Sequence, residues 1–145
     1  MREVRVSLRF ITPCLGNKRS VDQPDKMLRD AAGSVVFIST WWSIILTYGA
    51  RALSKHQAQI RTVSWDQKVK GVTSVYRRYY TETDYTEHEA FDTGSVIQVN
   101  ALLPESIPLE DFEEILRIAG TYKGISPYGH DKGFGRFELI SAEVV

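Results

Sequence analysis

The sequence predicts an α+β domain of the ferredoxin-like, or split βαβ, kind: an antiparallel sheet with two helices on one face. Three observations predict it. Apolar and polar residues alternate at a period of two in several stretches, most cleanly from Val4 to Ile11. Apolar residues recur at three-and-four spacing in two other stretches, 41–56 and 109–119. The stretches follow one another as strand, helix, strands, helix, strand. A chain of 145 residues has the size of one domain, so residues 1–145 are expected to form a single ferredoxin-like unit.

In the first strand Val4, Val6, Leu8 and Phe10 face one way and Arg5, Ser7 and Arg9 the other. Pro13 ends it. Residues 13–34 then read as a long loop carrying Lys18, Arg19, Lys26 and Arg29, and a loop that long in a small domain is commonly functional. Ser39 and Thr40 are expected to cap a helix from Trp41 to about His56. Trp41, Ile44, Ile45, Tyr48 and Ala52 form its predicted buried face, with Gly49 marking a close packing point. Of the neighbouring Trp41 and Trp42, one ring is assigned to the core and one to a part-exposed surface. An exposed tryptophan beside Tyr48 would point to a protein partner.

Ile60–Trp65 and Val72–Tyr80 read as strands around a turn at Lys70 and Gly71. Glu82–Asp92 reads as an acidic loop, and Ser95–Leu102 as a strand. The clearest helix is Leu109–Ala119, with Ser106 as its candidate cap. Acidic residues fill its first turns, where the helix dipole favours them. Leu109, Phe112, Leu116 and Ala119 make the predicted buried stripe, and Gly120 the stop. Gly135–Val145 is the final strand.

Composition is that of an ordinary globular protein, with 43% hydrophobic and 25% charged residues. A single cysteine, Cys14, excludes an internal disulfide framework and a cysteine-rich zinc site, so no metal and no cofactor is expected. A reducing, cytoplasmic setting fits. No apolar signal core follows Met1, and the longest apolar patch, near Trp41–Leu46, is too short to span a membrane. The net charge of zero hides a polarity along the chain. Residues 1–78 carry 14 Lys/Arg against 5 Asp/Glu, and residues 79–145 carry 4 against 13. Either the two halves neutralise each other across the fold, or they offer separate faces to unlike partners, copies of the chain included.

The stretch between the second helix and the last strand carries the most chemistry. Glycines at 120, 124, 129, 133 and 135 alternate with Lys123, Tyr128, His130, Lys132, Phe134 and Arg136. Glycines allow positive φ and close approach of the backbone to a partner. Lys123, Lys132 and Arg136, with the backbone at Gly129, Gly133 and Gly135, can lie along phosphates. Tyr128, His130 and Phe134 can stack on bases. The alternative is a bulged run into an edge strand. It is neither a Walker loop, lacking Gly-Lys-Ser/Thr at the required spacing, nor a Rossmann fingerprint, since its glycines precede a strand.

The run from Gly124 to Leu139 resembles the glycine-rich loop and last strand of the RAMP superfamily. These are the ferredoxin-like RNA-binding subunits and repeat-processing nucleases of CRISPR systems. Leu8–Gly16 is similar to that superfamily's first strand and the turn after it, and Asp30–Trp41 to the segment before its first helix. Residues 57–103 carry no such likeness. The resemblance implies RNA binding through the terminal loop within a ribonucleoprotein assembly involved in antiviral defence. Two departures stand beside it. Trp41-Trp42-Ser43 replaces the Ser-Leu-Lys-Gly type of helix opening, and the chain is short for a filament subunit. Both leave room for a mobile-element relative or a mimic.

Arg77 and Arg78 precede Tyr79 and Tyr80, a pairing that suits single-stranded nucleic acid by charge and stacking. Strand alternation puts Arg77 with Tyr79 and Arg78 with Tyr80 on opposite faces. Lys18 and Arg19 would extend the same track. His56, His88 and His130 are the candidates for acid–base chemistry, with His56 and His130 the two considered as catalytic residues. Glu82, Asp84, Glu87, His88, Glu89 and Asp92 do not fit an EF-hand. The expected function is thus binding of RNA or single-stranded nucleic acid, with copies of the chain or other ribonucleoprotein subunits as partners and no membrane. Two alternatives stay open. One is a protein-interaction module of a phage or mobile element, for example an inhibitor of a CRISPR complex; the other is a metal-independent ribonuclease.

Overall fold

Strand β1 (Arg2–Phe10) is the axis of the fold in a computed structural model of the chain. The structure describes residues 1–16, 26–71, 74–79, 85–127 and 132–145, with the backbone alone for 74–79 and 85–87. Val4, Val6, Leu8 and Phe10 are fully buried, as their alternation requires. β1 pairs antiparallel with β6 (Val96–Leu103) and β7 (Phe137–Val144), and β3 (Ser64–Trp65) adds to β6. Helix α1 (Ser39–Leu53) lies in sequence between β1 and β3, and α2 (Leu109–Tyr122) between β6 and β7. With the sheet order β3-β6-β1-β7, this is the ferredoxin-like arrangement. Both helices share one core with the inward residues of β1.

A second sheet was not expected. β4 (Ser74–Tyr79) and β5 (Tyr85–Phe91) form a hairpin inserted between β3 and β6, and β2 (Cys14–Leu15), which follows β1, pairs with β5 to give the order β2-β5-β4. The predicted acidic loop is therefore mostly strand. Its inward residues are His88 and Ala90, both fully buried, so the alternation lacks the large apolar side chains that would reveal it. Phe91 closes the gap between the sheets by stacking on Phe10 at 5.9 Å. From there an aromatic chain runs through Phe37 to Trp42, which stacks on Trp65 at 4.0 Å and 8°, and on to Phe112. The predicted strand 60–65 is shorter than expected: Gln59–Thr62 is a 3-10 turn, leaving two residues for β3.

Helix α1 buries Trp42, Ile45, Leu46, Gly49 and Ala50, a face turned by one residue from the predicted one. Ile44 and Tyr48 are 51% and 39% exposed. Apolar residues cover a wide arc of this helix, so spacing alone allows either of two neighbouring faces. Gly49 decides between them. A Cβ there would stand 2.4 Å from the Ile115 carbonyl oxygen of α2, so the helices cross where no side chain intervenes. Ser39 and Thr40 are not caps either; the N-cap is Ile38, and no side chain caps the helix. In α2, Gly120 does not end the helix but is buried under Phe137. The stop is Gly124, whose φ of 77° and N–H bond to the Ala119 oxygen turn the chain out. Ser106 caps nothing, since the N-cap is Pro108.

The two charge halves do meet. Arg9 pairs with Glu138, Arg2 with Glu105 and Arg29 with Glu89. The last is the best formed: both Arg29 terminal nitrogens reach both Glu89 oxygens, at 2.5 and 2.6 Å, and the Met27 N–H adds a third bond. Burial opposes the Glu89 charge, but Arg29 and the Met27 N–H outweigh it and hold the carboxyl below its usual range. A depressed carboxyl stabilises the fold at pH values above its unfolded value of 4.5, and this contribution fades as pH falls through the lowered value. Glu89→Gln is therefore expected to cost about 2 kcal/mol at neutral pH. The gap from wild type should narrow progressively in urea melts as pH falls below 4.5. A gap independent of pH would show that the pair does not carry the difference.

Candidate nucleic-acid interface

The face of α1 turned away from the core lines a groove of about 590 Å³. Ser39, Ser43, Thr47 and Arg51 follow one another at steps of four, so they form a single row of hydroxyls ending in a guanidinium. Thr40, Ile44 and Tyr48 form the row beside it. Arg61, from the 3-10 turn, and Lys123, just past α2, stand on the groove's other walls. Among the described residues no Asp or Glu lines it, and Arg51, Arg61 and Lys123 have no ion-pair partner there. Three cations facing one open groove without a carboxylate form a surface suited to a polyanion.

The glycine-rich segment brings Lys123 there, but not in the expected way. Its close approaches are to the chain itself. The Ile125 N–H donates to the Gly135 oxygen, and the Gly135 N–H to the Pro13 oxygen, both at 2.8 Å. The Ser126 hydroxyl accepts the Leu15 N–H, and Thr12 bonds the Gly133 oxygen. Gly124 and Gly135 are buried; a Cβ on Gly135 would lie 2.1 Å from the Ile125 oxygen. Phe134, expected to stack on bases, is 6% exposed and packs with Leu15 and Ala90. Its ring offers no face to a ligand. Gly133, with φ of 90°, has open space around it, and Lys132 is exposed. The Arg136 guanidinium donates to the Thr121 oxygen at the end of α2.

Lys18, Arg19, Tyr128, Gly129 and His130 lie outside the described residues. Arg77 and Arg78 lie on β4, where the register sets them opposite Glu87 and Thr86; their side chains are outside the description. Next to the groove is a smaller slot of about 130 Å³, between Trp41, Ile44 and Ile45 on one side and residues 123–127 on the other.

The whole chain is similar in fold to chains of solved structures. It superimposes with a TM-score of 0.67 and 14% identity on a chain of the assembly described as the cryo-EM structure of the Type III-B Cmr-beta bound to cognate target RNA. The two chains share a fold. The match covers 99% of this chain and 60% of that one, so this chain spans three-fifths of its neighbour's length. No family model matches the sequence, and no curated protein does.

Of the described residues, His56 and His88 do not converge on the groove. His56, with φ of 60°, bonds through Nε2 to Asp111 at 2.8 Å, tying the chain after α1 to the first turn of α2. His88 is fully buried and donates from Nδ1 to the Gly16 oxygen, which excludes it from work on a substrate. Burial pushes the Cys14 thiol far up, against the lowering effect of the Ser126 hydroxyl, so it stays protonated. Among the described residues no three His, Cys, Asp or Glu side chains gather as a metal site, and no helix is long and apolar enough to cross a membrane.

Proposed function

We propose that this chain binds RNA, or single-stranded nucleic acid, through its sugar–phosphate backbone along the α1 groove. The reading rests on one observation: Arg51, Arg61 and Lys123 border a common open groove with no acid in it. The hydroxyls of Ser39, Ser43 and Thr47 supply further donors of the kind that bond phosphate oxygens. Lys132 and Arg136 lengthen the track at one end, and Lys18, Arg19, Arg77 and Arg78 are its proposed extensions. The RAMP resemblance of the two ends of the chain and the fold shared with a chain of an RNA-bound assembly support the same reading. In that reading the chain acts as a subunit of a CRISPR-type ribonucleoprotein, beside other subunits or copies of itself.

The test is binding of a labelled single-stranded RNA over a series of salt concentrations. Contact by three cations predicts that log affinity falls with log salt at a slope of about −2 from the groove, and steeper if the extensions take part. Lys132→Ala with Arg136→Ala should weaken binding and flatten the slope by roughly one unit. Absence of binding to every RNA and single-stranded DNA at low salt would refute the reading.

A further inference from the structure

We propose that the slot beside the groove holds one unstacked nucleobase of the strand whose phosphates follow the cations. The inference rests on the nucleic-acid reading of the groove and specifies how a strand sits there. A nucleotide joins an anion to a flat, largely apolar ring, one sugar apart. The two cavities have the same composition side by side: groove and slot share Ile44 and Lys123 as their common wall, with cations on one side and Trp41, Ile45 and Ile125 on the other. The slot reaches down to core side chains, since Ile45 and Ile125 are almost fully buried. Trp41 is half-buried and held edge-on by Phe37, ring centroids 5.6 Å apart at 67°, so it is a fixed wall.

The same wall dictates what kind of recognition results. The N–H groups of Lys123, Gly124 and Ile125 already donate to Ala119 and Gly135, and the Ser126 hydroxyl is bonded to Leu15. These groups are therefore not available to read the edge of a base. The slot selects a ring by shape and stacking and is tolerant of sequence. An apolar side chain of a protein would also fill a slot of this size, but Lys123 on its wall and the other two cations of the adjoining groove favour a ring carried on an anionic chain.

Tryptophan fluorescence is the natural probe, because Trp42 and Trp65 are buried and Trp41 alone borders the slot. The protein is titrated with a short oligouridylate and with an abasic ribose–phosphate oligomer of equal length. The oligouridylate is expected to quench the emission and to bind roughly five- to hundredfold more tightly than the abasic chain. Trp41→Ala should abolish that advantage and leave the abasic affinity unchanged, while Trp41→Phe keeps most of it. Ile44→Trp, at an exposed position, should block the slot and give the same loss, which covers the case that Trp41→Ala fails to fold. Equal binding of both oligomers, unaffected by these variants, overturns the slot while the track stands. If neither oligomer binds, the track itself fails and the slot with it. Stronger quenching by a phenylalanine-rich peptide than by the oligouridylate assigns the slot to a protein and overturns the proposal.

Discussion

Changing Arg51 and Arg61 to glutamine and Lys123 to methionine is expected to lower the affinity for single-stranded RNA by at least about a hundredfold at 0.1 M salt. Each lost charge-assisted contact is worth about 1.5 kcal/mol, so two such losses already give that factor and the third adds to it. Removal of all three charges should flatten the salt slope by about two units. These substitutions suit the purpose because Arg51 and Arg61 are exposed and none of the three side chains has an ion-pair partner among the described residues, so the fold loses little. Melting temperature should stay within a few degrees of wild type. Binding that survives intact in the triple variant, with its slope unchanged, would move the nucleic-acid site elsewhere on the molecule. A control at Arg9, which is paired with Glu138 on the outer face of the sheet, should change neither quantity.

Gly135→Ala is expected to be the most damaging single substitution, costing roughly 3 kcal/mol or more. Two costs combine. The residue has a φ of 76°, a conformation that costs an alanine about 1 kcal/mol or more. The added methyl would also meet the Ile125 oxygen at 2.1 Å and its carbonyl carbon at 2.4 Å, both backbone atoms that cannot swing aside. Overpacking of this kind adds about 1–3 kcal/mol. Thermal melts would read the loss directly. Gly133→Ala makes a useful contrast, because φ of 90° strains it equally but nothing lies within 4 Å of the new methyl. If both variants melt alike, backbone conformation alone accounts for the glycine at 135.

That comparison also explains which parts of the molecule were legible in the sequence. Strict alternation made β1 readable, because its inward residues are all large and apolar. β5 hid behind the same alternation, since its inward positions are filled by His88 and Ala90. The glycine-rich stretch advertised close backbone approach but could not say to what, and the partner is the turn at 12–15. The groove does carry a signal in the sequence. Ser39, Ser43, Thr47 and Arg51 repeat every four residues, which is the outer stripe of a helix whose inner face lies one position from the one that apolar spacing predicts. Correct placement of that face needed Gly49, and a glycine reveals a helix crossing only when the opposing Ile115 carbonyl is known. Arg61 and Lys123 lie 10 and 72 positions beyond Arg51, and no local pattern joins residues so far apart.

The central position of β1 governs the timing of assembly. Its two neighbours in the sheet are β6 and β7, drawn from residues 96–103 and 137–144. During synthesis β1 emerges long before residues 96–103 and 137–144, so neither of its edges can be closed until they follow, and the slowest loop closures are the long ones. In that interval a stretch of four inward-facing apolar side chains stays open to any other extended segment. A nascent chain stalled before residue 137 should therefore be the form most prone to aggregate.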